Sequence, residues 1–163
     1  MDPNECRRIA KIRQDSHPNG TARRDNNDPT KENRIGVTGE AAFAESYPEL
    51  NLQVDDQPRP QGDLGIDFII DGTVIDVKTR ATVDAPYLMF LKASDEKLTA
   101  SVYVLGWYLS DGVGKVLGWI SRSDAEEYPL SRTDEWGNPS RSIPTRRMRP
   151  MSSLLGWIKE RRK

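Results

Sequence analysis

Ile66-Asp67-Phe68-Ile69-Ile70-Asp71-Gly72-Thr73-Val74-Ile75-Asp76-Val77-Lys78 is the stretch whose reading decides the fold. Two β-rich runs flank Asp-Gly, the dipeptide of a two-residue type I′ hairpin. With that loop the register follows: Ile70 faces Thr73, Ile69 faces Val74, Phe68 faces Ile75, and Asp67 faces Asp76. Side chains alternate with period 2, so Asp67, Ile69, Val74, Asp76 and Lys78 share one face. Ile66, Phe68, Ile70, Ile75 and Val77 share the other, which is wholly apolar and reads as core. The first face brings two carboxylates into cross-strand contact, with Cβ atoms ~4.5–5.5 Å apart. Such a pair is relieved by protonation, by cations or by a bound metal ion. Lys78 offers part of the second remedy. Two hard carboxylate oxygens suit Mg²⁺ or Mn²⁺.

Upstream, the small-residue run Ala41, Ala42, Phe43, Ala44 and Tyr47 predicts a helix from Arg34 to Pro48. Glu40 stands near its start, where a carboxylate ordinarily serves the helix dipole. Downstream, strands are expected at Tyr87–Leu91, Ser101–Leu109 and Lys115–Ser121, with Ser110-Asp111-Gly112 turning between the last two. Ser94 is placed to cap a helix at Asp95–Leu98, and Ser123-Asp124-Ala125-Glu126 has capping-box spacing. Residues 129–145 read as loop, and Met151–Arg162 as an amphipathic helix with a basic end. Residues 1–33 read as a polar, mobile N-terminal arm with a short helix at Cys6–Gln14; residues 34–163 form the domain.

Composition narrows the function. The chain has 163 residues, 36% apolar and 30% charged, enough for one domain with polar excess. One cysteine excludes an internal disulfide, and one histidine excludes a His-rich metal site. Neither a secretory leader nor a membrane span is legible, which predicts a soluble, cytoplasmic protein. The net charge of -1 hides segregation: residues 141–163 carry eight basic residues and one acidic, whereas the centre is strongly acidic. Arg141, Arg146, Arg147, Arg149, Lys159, Arg161, Arg162 and Lys163 thus form an expected phosphate-binding surface. Arg7, Arg8, Lys11, Arg13, Arg23 and Arg24 offer a second one on the arm. Trp107 and Trp119 read as core, and Trp136 as the better base-stacking candidate.

The ordered set Glu40, Asp67 and Asp76-Val77-Lys78 resembles the active-site signature of the PD-(D/E)XK nuclease superfamily. The resemblance covers residues 34–121. Ile66 stands where the family commonly has proline, and the helix expected between the hairpin and Ser101 is weak. The resemblance implies an α/β fold with a restriction-endonuclease-like central mixed β-sheet flanked by helices. It implies that Asp67, Asp76, the Val77 carbonyl and Glu40 hold Mg²⁺ or Mn²⁺, and that Lys78 orients or deprotonates the attacking water. DNA is the implied partner, cleaved by an endo- or exonuclease of the small accessory kind found in phages and mobile elements, with branched DNA one candidate substrate. The alternative is an inactive nuclease-fold scaffold that binds nucleic acid or a protein. A third reading is a structural metal-binding domain. Oligomeric state stays open, a homodimer included.

Overall fold

A computed structural model describes residues 1–16, 28–58, 66–82, 88–92, 98–133 and 139–161. The chain runs α1 (Pro3–Ser16), α2 (Lys31–Glu45), β1 (Phe68–Ile70), β2 (Thr73–Arg80), β3 (Leu88–Lys92), β4 (Val102–Ser110), β5 (Val113–Ser121), α3 (Arg122–Glu126), β6 (Leu130–Thr133), β7 (Pro139–Pro144) and α4 (Leu154–Glu160). A four-stranded sheet has the order β1-β2-β4-β5, and a three-stranded sheet the order β3-β7-β6. β2 and β4 are parallel and the remaining pairs antiparallel, so the main sheet is mixed. Helices flank it.

The hairpin forms in the register its sequence dictates, with Ile70 opposite Thr73, Ile69 opposite Val74 and Phe68 opposite Ile75. Asp71 and Gly72 both take positive φ, 52° and 78°, as a type I′ turn demands; glycine pays no Cβ penalty there and aspartate tolerates it. The ladder stops at Phe68. Asp67 leaves it, donating its N–H to the Ile75 carbonyl at 3.0 Å, so Asp67 and Asp76 are not ladder partners as the register arithmetic implied.

Alternation along β2 sorts the two cores. Ile75 and Val77 join Phe68, Ile70, Val102, Val104 and Trp119 against Phe43 of α2, Tyr47 just beyond it, and Leu154 and Ile158 of α4. On the other face Tyr103, Leu105 and Ile120 pack with Ile143 of β7 and Ala125 of α3. Asp76 and Lys78 belong to this second face, since Asp76 is the register partner of Tyr103.

Several elements differ from expectation. α2 starts at Lys31 rather than Arg34, running through Gly36 and Gly39 because buried Ile35, Val37 and Phe43 supply the packing that propensity lacks. Residues 3–16, read as part of a mobile arm, form α1, which buries Cys6, Ile9 and Ala10 with Val37 of α2. The stretch 129–145, read as loop, holds two strands among its described residues, β6 and β7, and its polar sequence conceals the fully buried Ile143. The cap of α3 is Ser121, whose hydroxyl accepts from Asp124 N at 3.2 Å, and not Ser123. The closing helix is shorter, a 3₁₀ turn at Met151–Ser153 followed by α4. β3 stands in the crossover between β2 and β4, while the helix expected at Asp95–Leu98 falls on residues largely outside the described ones. Among the described residues no helix is long and apolar enough to cross a membrane.

Candidate active site

Because β1 is only three residues long, no strand among the described residues pairs with β2 beyond Ile75 on the side away from β4. Asp67 fills that gap: its Oδ2 accepts the Val77 N–H at 2.6 Å. Peptide groups of alternate strand residues point to the same side, and the Ile75 carbonyl points at Asp67. The Val77 carbonyl therefore faces the same edge as the Asp67 carboxylate. A carboxylate beside a backbone carbonyl is the donor set of a hard cation.

Asp76 lies one residue away on the second face. It is 4% exposed, yet its Oδ2 meets Lys78 Nζ at 2.7 Å, and the Lys78 side chain keeps 41% exposure. The pair is thus buried at the acid and open at the base. Tyr103 lies alongside on β4, its hydroxyl accepting from Ala100 N at 3.1 Å; burial pushes its phenol upward from the ordinary value. Within one hairpin, Asp67 thus contacts Val77 at the strand edge and Asp76 contacts Lys78 on the second face.

Glu40 is placed differently. α2 packs on the face that carries Ile75 and Val77, opposite the one from which Asp76 and Lys78 project. Both Glu40 oxygens are engaged by Arg13, at 2.6 and 2.7 Å, and Arg13 also donates to the Asp55 carbonyl at 3.0 Å. This bidentate pair joins α1 to α2 with Glu40 only 5% exposed. Arg13 was read as part of a phosphate-binding arm; nothing local signals its partner, which lies 27 residues away. Among the described residues no three His, Cys, Asp or Glu side chains stand close enough to hold a metal ion. Asp67 thus sits on the Val77 backbone, Asp76 pairs with Lys78, and Glu40 is held by its arginine.

The basic residues divide. Arg7 pairs with Asp111, Arg8 with Glu5 and Asp56, and Lys11 with Asp15, so these side chains hold α1 to its surroundings or to itself. Arg141 donates to the carbonyls of Glu126 and Tyr128, and Arg149 pairs with Asp124 at 2.8 Å while lying over Trp119. Arg146, Arg147, Lys159 and Arg161 are exposed. Arg23, Arg24, Trp136, Arg162 and Lys163 lie outside the described residues. Trp119 is fully buried and Trp107 half-buried under Lys115. No family model, no curated protein and no solved structure matches this chain.

Proposed function

We propose that the protein is a metal-dependent deoxyribonuclease of PD-(D/E)XK type, with a restriction-endonuclease-like sheet, hydrolysing phosphodiester bonds at the β1–β2 hairpin. The observation that carries the reading is the Asp67 carboxylate on the Val77 N–H, next to the Asp76–Lys78 pair. Asp67, Asp76 and the Val77 carbonyl would hold Mg²⁺ or Mn²⁺, which lowers the pKa of a bound water and offsets phosphate charge. Asp76 holds Lys78 Nζ at the mouth of the site. There the ammonium orients the attacking water and offsets charge developing on the phosphate oxygens. Val77 places its side chain in the core, which fixes the backbone carbonyl.

One observation favours a second reading, an inactive nuclease-fold scaffold that binds nucleic acid or a protein. Glu40, the helical acid of the signature, is saturated by Arg13. Plasmid, single-stranded and branched DNA incubated with Mg²⁺, Mn²⁺ or EDTA separate the two. The expected result is metal-dependent cleavage by the wild type, falling at least about 100-fold in Asp76→Ala and Lys78→Ala, a loss of ~2.7 kcal/mol of transition-state stabilisation. Circular dichroism checks that both variants are folded. Cleavage at the wild-type rate by both folded variants overturns the site; no cleavage by the wild type with either metal favours the scaffold.

A further inference from the structure

At the turn end of the same hairpin a cleft of about 410 Å³ opens at the end of the main sheet, where Asp71, Gly72, Thr73 and Ser101 stand between α3 and α4. Its walls bring Arg122 and Glu126 from α3 opposite Trp157 from α4 and Arg161 at its C-terminal end. The Arg161 guanidinium lies over the Trp157 ring, 4.7 Å from its centroid. Trp157 in turn rests against buried Trp119, ring centroids 5.0 Å apart, so the indole has a fixed backing. The Arg122 guanidinium makes one hydrogen bond among the described residues, a long one of 3.5 Å to the Leu98 carbonyl. Among the described residues neither Arg122 nor Arg161 has a carboxylate within ion-pair distance, unlike Arg7, Arg8, Arg13, Arg34 and Arg149.

We propose that this cleft seats one nucleotide of single-stranded DNA. The base continues the stack Trp157–Arg161, since guanidinium planes and indoles both accept base faces. The phosphate meets Arg122, with the hydroxyls of Ser101 and Thr73 beside it. Glu126, exposed on the same wall, accepts from an exocyclic amine such as cytosine N4, which thymine lacks. The volume sits at the low end of the ~300–1,000 Å³ of small-molecule clefts, room for one nucleotide and too little for a duplex. Thr73 and Asp76 lie on the same strand, about 10 Å apart at ~3.3 Å per residue. The cleft therefore opens on the strand that carries Asp76. This placement deepens the nuclease reading and rests on it for the choice of DNA as ligand.

Binding is measured on the full chain in EDTA, where no cleavage competes, by anisotropy of a fluorescein-labelled oligo(dC) decamer, oligo(dT) decamer and a mixed-sequence duplex. The wild type binds oligo(dC) more tightly than oligo(dT), and both more tightly than the duplex. Arg122→Ala and Arg161→Ala, both on exposed side chains, each weaken oligo(dC) binding about 5- to 10-fold and lower the salt slope by about one. Glu126→Gln narrows the oligo(dC) over oligo(dT) preference. Wild-type affinity and slope in both arginine variants overturn the cleft, as does duplex binding equal to that of the decamers. The two readings fail separately. If Asp76→Ala abolishes cleavage while the arginine variants bind normally, the cleft alone falls. If the decamers bind through Arg122 and Arg161 but no metal supports cleavage, the hydrolytic reading alone falls.

Discussion

Glu40 and Arg13 show what a single buried carboxylate demands of its surroundings. Glu40 is almost wholly enclosed, and two charge-assisted bonds of 2.6 and 2.7 Å from Arg13 take the place of the water it loses. Removing the guanidinium leaves that charge enclosed with fewer donors. Arg13→Ala is expected to lose about 3 kcal/mol in urea unfolding. Most of the loss belongs to the abandoned carboxylate, so adding Glu40→Ala costs little more; fully additive losses would show that the two side chains act independently. Asp76 solves the same problem with Lys78, but at a site open to solvent on the lysine side. An ion pair open on one side can exchange its lysine for other cations, which is the property a catalytic carboxylate needs.

At the scale of elements, the approach of α2 to the sheet is set by glycine. Gly39 faces Thr79 on β2, and Thr79 faces Gly106 on β4. A Cβ built on Gly39 meets Thr79 Oγ1 at 1.8 Å and Thr79 Cβ at 2.8 Å, a clash that rotating the hydroxyl cannot remove. Thr79 Oγ1 is itself buried with no hydrogen-bond partner among the described residues, so the threonine serves as a spacer. Gly36, one turn earlier, has nothing within 4 Å of the same position. The two glycines therefore respond oppositely to alanine. Gly36→Ala raises stability by about 1 kcal/mol through helix propensity, whereas Gly39→Ala lowers it by ~2 kcal/mol or more through overpacking. Thermal unfolding of the two variants decides this; similar shifts in both would mean that helix propensity, not close packing, governs α2.

Over the whole molecule, one charge network ties the N-terminal helices to the β4–β5 turn. Asp111 receives Arg7, Arg34 and the Tyr108 hydroxyl, and Arg34 reaches on to Asp28 at 2.6 Å. The Arg34 hydrogen bond holds Asp28 below the ordinary value of 3.8. Burial pushes Asp111 upward, but the bonds from Tyr108, Arg7 and Arg34 outweigh it and the carboxyl is also lowered. Both aspartates thus bind protons more readily in the unfolded chain than in the fold. Their contribution is fully present above 3.8 and is lost as pH falls through the depressed native values. Acid unfolding followed by circular dichroism should steepen below that pH, and Asp111→Asn should flatten it. An unchanged acid limb in the variant would remove the network from the pH dependence.

The residues of the hairpin were legible because its logic is local. Asp-Gly imposes the turn, period 2 sorts the faces, and strand pairing follows without reference to the rest of the chain. The same locality placed Asp76 beside Lys78 and Asp67 next to Val77. What the arithmetic overshot was the last pair, because a ladder ends wherever a backbone donor finds a better acceptor, and the Asp67 carboxylate is one. Strands β6 and β7 escaped because their sequence is polar apart from a few apolar residues such as the buried Ile143, and Ser121 displaced Ser123 as a cap because the end of β5 sets where α3 begins. By itself, then, the amino-acid order determined the hairpin, the main strands, the neighbourhood of Asp67 and Val77, and the Asp76–Lys78 pair. Only the tertiary structure decided that α1 folds back, that Arg13 takes Glu40, and that Arg122 and Trp157 line one cleft. Those contacts join residues far apart in the chain, and they form only when buried apolar surface has brought the elements together.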